Sequence, residues 1–217
     1  MTEGEPLIRW DWIASHLDEF ALRLAEHVEL TVIAVGVGFV IAFALSLVIL
    51  RVPRAEGPIT AVTGTMYTIP SLALFALLIP YTGLTILTAE IGLVSYTLLI
   101  LIRNIVRGIR GVPPDVREAA VGMGYAPREV LLRIELPLAL AVIIAGVRVA
   151  TISTIGLVTV TSLIGQGGFG FLILIGIQRF FTTELIAGAV LSVALAIVAD
   201  ALLVLLQRRL TPWARAE

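Results

Sequence analysis

Residues 117–137 read REAAVGMGYAPREVLLRIELP, a charged stretch that contains two glycines and ends at a proline. It interrupts a chain of 217 residues in which 59% are hydrophobic and only 14% are charged. A soluble globular domain usually carries about 25% charged residues, and the mean hydropathy of this chain is +1.03. The composition therefore excludes an ordinary soluble domain, and the polar stretch needs an explanation of its own.

The apolar runs on both sides of this stretch are long enough to cross a membrane. About 20 apolar residues span a bilayer as a helix, which satisfies every backbone hydrogen bond internally. Such runs occupy residues 28–50, 60–80, 84–106, 138–163 and 185–206. The apolar segment LIGQGGFGFLILIGI at 163–177 is short and broken by glycines, which favours a re-entrant or bent segment, with a sixth span as the alternative. We predict an all-α polytopic transmembrane bundle of five core spans.

The arginines predict the orientation of the bundle, because cytoplasmic loops carry an excess of basic residues. With the N-terminus outside and the C-terminus inside, eleven of the fifteen arginines lie on the cytoplasmic side. These are Arg51, Arg54, Arg103, Arg107, Arg110, Arg117, Arg128, Arg133, Arg208, Arg209 and Arg215. A six-span arrangement would move the last three outside and weaken the bias. The polar stretch is therefore predicted to be cytoplasmic.

Residues 1–27 differ from the rest of the chain in being acidic and amphipathic. Apolar residues recur at steps of three or four at Ile13, Leu17, Phe20, Leu24 and Val28, a pattern typical of a helix at a membrane interface. No short apolar core follows a basic start, so no cleavable signal peptide is predicted. We expect an extracytoplasmic N-terminal segment at 1–27, or alternatively a partly ordered tail, followed by one transmembrane domain at 28–217.

The cytoplasmic loop, residues 107–137, is predicted to form two short helices. Pro113 and Pro114 suit a helix start, and Gly122 and Gly124 permit a left-handed stop. A second helix can begin at Pro127 and should end before Pro137. The first helix would present Ala119 and Ala120, whose small side chains let another protein approach closely. A solvated helical hairpin between two spans is the alternative.

This loop resembles a known family signature. It is similar, without a mismatch, to the EAA-x3-G-x9-I-x-L-P signature of permease subunits of bacterial ATP-binding cassette (ABC) importers. The matching residues are Glu118, Ala119, Ala120, Gly124, Ile134, Leu136 and Pro137. The resemblance implies the type I ABC importer permease fold, and it implies that the loop is a coupling helix which docks on a separate ATPase subunit.

Four further stretches resemble permeases of the osmoprotectant branch, whose substrates are glycine betaine, choline, carnitine and related quaternary amines. They are TIPSLALFALLIP (68–80), LIRN (101–104), AGVRVATISTIG (145–156) and LIGQGGFG (163–170). A permease for methionine or another amino acid is the nearest alternative. The resemblance implies a second permease subunit, two ATPase subunits, an extracytoplasmic substrate-binding protein and membrane lipid as partners, and no nucleic acid. Because the chain lacks lysine, it has no P-loop, and ATP and Mg²⁺ are expected on the partner ATPase, with no cofactor or metal in this chain.

The glycines at 165–170 fit the G-x-G-x-x-G spacing of dinucleotide-binding proteins, but that motif needs a preceding strand and a following acid. In a membrane protein, glycines permit irregular backbone where it is buried in protein. Gly165, Gly167, Gly168 and Gly170 are therefore expected to form an outer gate loop, or alternatively to serve helix packing.

Hydroxyl-bearing residues in two spans are candidates for a translocation path. Thr65, Thr68 and Ser71 surround Pro70 in the second span, and Thr154 and Thr159 lie in the fourth. The same hydroxyls could instead repair the backbone at the proline or hold helices together.

Charged residues within spans are costly and need an explanation. Arg148 and Asp200 are predicted to approach one another in a polar network near the inner gate, with snorkelling to the interface as the alternative. Glu90 is expected at the outer interface. Aromatic residues, which hold quaternary ammonium groups by cation–π attraction, are only 7% of the chain and form no cluster in the sequence. The resemblance implies that the high-affinity aromatic cage belongs to the extracytoplasmic binding protein, so only a weak, transient path is expected in the permease.

Two other classes of membrane protein fit the sequence less well. A secondary transporter is expected to carry ionisable residues near the midplane and often an internal repeat, and apart from Arg148 and Asp200 neither is found. A hydrolase would need catalytic groups, but His16 and His27 both precede the first span and are expected to be solvated or interfacial. The sequence thus predicts no catalytic residue, and we do not expect an enzyme.

Overall fold

The computed structural model describes residues 6–215, so the first five residues of the predicted N-terminal segment and the last two of the predicted transmembrane domain lie outside the described part. The helices that build the bundle are α1 Trp10–Ser15, α2 Leu17–Arg51, α3 Glu56–Thr68, α4 Ser71–Thr82, α5 Ile86–Arg110, α6 Pro114–Gly122, α7 Pro127–Val130, α8 Leu136–Thr161, α9 Phe169–Gln178 and α10 Thr182–Leu210. Short 3-10 or π-helical turns join several of them, and no strand occurs among the described residues. The all-α prediction is confirmed.

Four continuous helical stretches are long and apolar enough to cross a membrane, and a bent pair can supply a fifth crossing. The four are Leu17–Arg51, Ile86–Arg110, Pro127–Ile164 and Thr182–Leu210. They contain the predicted spans at 28–50, 138–163 and 185–206, and all but the first two residues of the predicted span at 84–106. The first membrane-spanning helix, α2, begins earlier than predicted. The predicted boundary between residues 27 and 28 therefore falls inside α2 and not at its start.

The second predicted span, residues 60–80, is not one continuous helix. Helices α3 and α4 meet at Ile69 and Pro70 and are bent by 99°. Ile69 has extended backbone angles (φ −64°, ψ 129°), because the ring of the following proline disfavours the helical region for the residue before it. The proline that the sequence places inside the span thus divides it into two helices of 13 and 12 residues.

Helix α5 is the centre of the bundle and packs against α2, α3, α4 and α8. Two thirds of its most apolar window (67%) is buried within the chain, against 6% for α10. Close packing of α5 on α8 depends on Gly146, where an added Cβ would lie 2.4 Å from Cβ of Asn104. Asn104 lies in the LIRN stretch (101–104) and Gly146 in the AGVRVATISTIG stretch (145–156). These two stretches therefore pack against each other where α5 contacts α8.

The glycine-broken segment at 163–177 does not form a sixth span. Helix α9 has only ten residues, about 15 Å at 1.5 Å per residue, which is half the thickness of a bilayer core. It packs beside the first turns of α10, where an added Cβ on Gly188 would lie 2.9 Å from Cβ of Leu172. The prediction of a short bent segment agrees with this geometry, and the six-span alternative is wrong.

Candidate coupling surface, central cavity and outer glycine loop

The first helix of the cytoplasmic loop, α6, ends in the left-handed turn predicted from its glycines. Gly124 has φ +88°, its N–H donates to the carbonyl of Val121 (2.9 Å), and the N–H of Tyr125 donates to the carbonyl of Ala120 (3.2 Å). This pair of bonds is the Schellman arrangement that satisfies helix-end carbonyls. Only Gly124 takes the left-handed conformation, because Gly122 is still the last helical residue.

The exposed face of α6 is only partly the one predicted. Glu118 and Ala119 are exposed, whereas Ala120 is 1% exposed and packs inward. Ala120 is therefore not available to a partner, contrary to the prediction for it. Three apolar side chains are exposed on the same loop, Val121, Met123 and Leu132, each by more than 60%. We call Glu118, Ala119, Val121, Met123 and Leu132 the coupling surface.

An ion pair holds α6 against the transmembrane helices. Nε of Arg117 lies 2.6 Å from Oε1 of Glu135 at the base of α8. The same guanidinium donates through Nη2 to the carbonyl of Ile109 at the end of α5 (2.5 Å). Arg117 thus connects α6 to the ends of both α5 and α8. The sequence predicts only that Arg117 is cytoplasmic, and nothing in the signature that follows it indicates these contacts.

The second short helix does not end before Pro137, contrary to the prediction. Helix α7 passes through a π-helical turn, Leu131–Glu135, directly into α8. At the end of this turn the N–H of Leu136 bonds to the carbonyl of Leu131, a five-residue spacing that widens the helix before the proline. Pro137 is then the second residue of α8 and directly follows this turn. The half-buried Ile134, Leu136 and Pro137 therefore belong to a continuous helix.

Arginines predicted to be cytoplasmic meet at one end of the bundle. A cavity of about 440 Å³ is lined by Arg51, Arg110, Arg117 and Arg128 together with Glu135. Arg110 also makes a two-point ion pair with Glu56 at the start of α3 (3.0 and 2.8 Å). The end that carries the coupling surface is thus the basic end, as the positive-inside rule requires of a cytoplasmic face.

Arg148 and Asp200, predicted to share a polar network, are in direct contact. Nε of Arg148 donates to Oδ1 of Asp200 (2.8 Å), and Nη2 donates to Oδ2 (3.1 Å). Gln207 joins them through an Arg148 Nη1 to Oε1 bond of 3.4 Å. The assignment of this network to an inner gate stays a prediction.

The residues predicted to line a translocation path are only partly brought together. A cavity of about 260 Å³, here named the central cavity, lies between α3, α5 and α8 and is lined by Thr154, Ser153, Tyr67 and Tyr96, among others. Of the predicted path residues only Thr154 lines it. Pro70 and Ser71 form the adjacent bend, and Thr65 and Thr68 are exposed on α3.

The bend is supported by a tyrosine and not only by the hydroxyls near Pro70. The Tyr96 hydroxyl donates to the carbonyl of Ile69, which the bend leaves without a helical partner. Thr68 instead bonds to the carbonyl of Thr65 (2.8 Å) within α3. Thr159 lies farther along α8, where an added Cβ on Gly170 would be 2.2 Å from its carbonyl oxygen, so its backbone serves helix packing.

The glycine loop is held by two residues of α2. The N–H of Gly168 donates to Oε2 of Glu26 (2.9 Å), and the N–H of Phe169 donates to Nδ1 of His27 (3.2 Å). Because Nδ1 accepts, Nε2 of His27 carries the proton and donates to the carbonyl of Ile155 (3.0 Å). Gly165 and Gly168 have φ of +77° and +83°, and an added Cβ on Gly167 would lie 2.0 Å from Oε2 of Glu26.

Two titratable residues differ from their predicted surroundings. His27 is fully buried, so the expectation of a solvated or interfacial side chain is wrong for it. Glu90, expected at the interface, is 9% exposed, and neither of its carboxylate oxygens has a hydrogen-bond partner within residues 6–215.

Among the described residues no group of three or more His, Cys, Asp or Glu side chains could hold a metal ion.

Comparison with known proteins agrees with this geometry. Residues 31–212 match the family described as binding-protein-dependent transport system inner membrane component. The chain is 39% identical to the choline transport system permease protein OpuBB of Bacillus subtilis (strain 168), over 89% of each chain. It is 35% identical to the glycine betaine/carnitine/choline transport system permease protein OpuCB of the same organism, again over 89% of each.

A solved structure shows the same fold at low sequence identity. The inward-facing MetNI methionine ABC transporter has a chain that superimposes with a TM-score of 0.77 at 21% identity, covering 88% of this chain and 96% of that one. With four to five candidate spans and a family match over residues 31–212, this chain belongs to the inner membrane permeases of binding-protein-dependent ABC importers.

Proposed function

We propose that this chain forms the translocation path of an ABC importer for a small quaternary ammonium osmoprotectant such as choline, glycine betaine or carnitine. A separate ATPase subunit docks on the coupling surface and drives the reorientation of the spans. The chain carries no catalytic residue in this scheme, and ATP and Mg²⁺ are bound by the partner.

The observation that best supports the proposal is the composition of the coupling surface and its connection to the spans. Glu118 and Ala119 are exposed beside the apolar Val121 and Met123, a combination that is unfavourable on a free cytoplasmic loop and suited to a protein contact. Arg117 connects this surface to the ends of α5 and α8. A displacement of α6 would therefore be transmitted to α5 and α8 through the hydrogen bond and ion pair of Arg117, and not through a flexible linker.

The proposed assembly contains two permease subunits, two ATPases and an extracytoplasmic binding protein. Small polar residues on the bent pair support a second permease, because Thr65 and Thr68 are exposed on the single chain and such residues are common at contacts between membrane helices. The glycine loop, at the end of the bundle opposite the coupling surface, is the proposed outer gate. Arg148 and Asp200 form the proposed inner polar network.

The substrate class rests on the relatives. Proteins at 35% and 39% identity over 89% of this chain are choline or glycine betaine/carnitine/choline permeases. The likeness to the methionine transporter, at 21% identity, supports the fold and carries no argument about the solute.

Reconstitution tests the proposal. The permease, its ATPase and its binding protein are placed in proteoliposomes, and uptake of labelled choline, glycine betaine and carnitine is followed with and without ATP. We expect uptake only with ATP. The variant Ala119→Trp should abolish uptake by blocking the close approach of the ATPase, whereas Ala21→Trp, at an exposed position of α2, should not. Uptake driven by an ion gradient without the ATPase would refute the proposal.

A further inference from the structure

The central cavity has a lining that is unusual for a membrane helix bundle, because two tyrosines and two small hydroxyl residues meet in it. Tyr67 comes from α3, Tyr96 from α5, and Ser153 and Thr154 from α8. The remaining lining is apolar, and no Asp, Glu, Lys, Arg or His side chain from the described part of the chain contributes to it. At about 260 Å³ it is smaller than the roughly 300–1,000 Å³ of pockets for drug-sized ligands, so it suits a solute of a few heavy atoms.

The two tyrosine rings have a defined arrangement. Their centroids are 6.0 Å apart with an interplanar angle of 65°, an edge-to-face pair. Tyr96 is 6% exposed and its hydroxyl is bonded to Ile69 at the bend, which fixes the ring. Tyr67 is 42% exposed, so one ring is held in place while the other borders the open side of the cavity.

Three hydroxyls of the cavity are free to bind a solute. Within residues 6–215 the hydroxyls of Tyr67, Ser153 and Thr154 make no hydrogen bond to the protein. Elsewhere in the spans most hydroxyls bond to a carbonyl of their own helix, as Thr151 does to Val147 (2.8 Å) and Ser192 to Gly188 (2.8 Å). Unused hydroxyls beside aromatic rings can bond to a carboxylate or hydroxyl of a solute.

We propose that the central cavity is a transit site for the trimethylammonium group of the solute, formed by the rings of Tyr67 and Tyr96, with Ser153 and Thr154 contacting its oxygen atoms. A quaternary ammonium has no N–H to donate and is attracted by aromatic faces. A primary ammonium would find no carboxylate here. This inference rests on the proposed function and adds the site and the chemistry of recognition within the permease itself.

The absence of an ionic partner fits a site that must release its cargo. A binding protein can retain a cation tightly, whereas a conducting site must bind weakly enough to let the solute leave. Two aromatic rings without a counter-charge satisfy that condition. The location beside the bend also fits, because irregular backbone within a membrane is tolerated where it lines a cavity.

Uptake of labelled choline by the reconstituted complex tests this site with paired variants. Tyr67→Leu removes the ring and should lower the uptake rate about fivefold, the scale of a lost cation–π contact, while Tyr67→Phe keeps the ring and should stay within about twofold of the unsubstituted protein. Tyr81→Leu, at a tyrosine of α4 that is 87% exposed and outside the cavity, is the control and should leave uptake unchanged.

The outcomes separate the site from the function. Unchanged uptake in Tyr67→Leu overturns the site, as does an equal loss in Tyr67→Phe and Tyr67→Leu, since the hydroxyl and not the ring would then matter. Should Tyr67→Leu fail to assemble, Ser153→Leu fills the cavity from α8 and should reduce uptake as strongly, so that unimpaired uptake again overturns the site. If the unsubstituted complex takes up choline, glycine betaine and carnitine with ATP and these variants have the same uptake rate, the transit site is refuted and the proposed function stands. If it takes up none of them, the proposed function fails.

Discussion

Arg148 of α8 and Asp200 of α10 face one another with two parallel hydrogen bonds of 2.8 and 3.1 Å. Gln207, two turns farther along α10, bonds to both Arg148 (3.4 Å) and the carbonyl of Ala141 (3.2 Å). Helix α10 buries only 6% of its most apolar window within the chain. The polar contacts therefore hold α10 against α8 where little of the α10 surface is buried within the chain.

Removing both members of this pair should weaken the complex by less than the sum of the two single losses. Asp200→Asn leaves Arg148 charged within a span without its counter-ion, which is unfavourable, so we expect a lower melting temperature and less assembled complex in detergent. Arg148→Gln should act in the same direction. In the double variant the losses should be less than additive, because the two side chains interact directly.

Thermal unfolding of the purified complex provides the measurement, and Asp18→Asn, an exposed position in the first turn of α2, is the control. A strictly additive double variant would mean that the two charges do not depend on each other.

The pairing could be predicted because charges inside apolar runs are rare and costly, so two of them require a common explanation. No such signal marks Tyr67 and Tyr96, since a tyrosine in a span is unremarkable and the two rings are 29 positions apart on different helices. Their meeting depends on the 99° bend between α3 and α4, and a proline alone does not specify such an angle. The burial of His27 was not predictable for a related reason, because its partners Ile155 and Phe169 lie 128 and 142 positions away along the chain.

The prolines show where local rules are insufficient. Pro70 breaks its helix, whereas Pro137 lies inside a continuous one, although both carry the same steric restriction. The difference lies in what precedes them, since the π-helical turn Leu131–Glu135 accommodates Pro137. The positions of the spans follow from the lengths of the apolar runs, and the turn at Gly124 follows from the conformational freedom of glycine. Both depend on local sequence and were predictable from it.

Gly168 should not tolerate a side chain. Its backbone angles (φ 83°, ψ −173°) belong to a region that is essentially restricted to glycine and costs other residues about 1–3 kcal/mol, and an added Cβ would lie 3.0 Å from Nδ1 of His27. We expect Gly168→Ala to lower the melting temperature and to disturb the bond from the Gly168 N–H to Glu26.

The matched control for this variant is Gly36→Ala in α2, where no atom lies within 4 Å of an added Cβ. This substitution should be neutral or slightly stabilising, because alanine is the better helix former. Equal melting temperatures for the two variants would show that the glycine loop does not need its left-handed backbone.

Arg117 should be required for coupling and not for ATP hydrolysis as such. Arg117→Ala removes the contacts of α6 with Glu135 and the carbonyl of Ile109, so docking of the ATPase would move the loop without moving α5 and α8. We expect ATP hydrolysis by the reconstituted complex to continue while the number of choline molecules imported per ATP falls several-fold. The exposed Arg54 provides the control variant Arg54→Ala, which should keep the ratio of the unsubstituted protein.

A charge exchange sharpens this test. Arg117→Glu combined with Glu135→Arg restores an ion pair of opposite polarity and should recover part of the transport ratio. If Arg117→Ala imports as many molecules per ATP as the unsubstituted protein, the clamp between α6 and the spans has no role in coupling.

Tyr96→Phe should loosen the bend between α3 and α4 while leaving the ring in the central cavity. The substitution removes the only side-chain donor to the carbonyl of Ile69 within the described residues, and an unpaired buried carbonyl costs about 1–3 kcal/mol. We expect a lower melting temperature and faster amide hydrogen exchange near residues 65–74, with little change in the α5–α8 contact at Asn104 and Gly146. Hydrogen exchange followed by mass spectrometry distinguishes these regions in one experiment, and Tyr81→Phe is the control. Exchange that rises equally throughout α5 and α8 would indicate general unfolding and contradict a local role for Tyr96 at the bend.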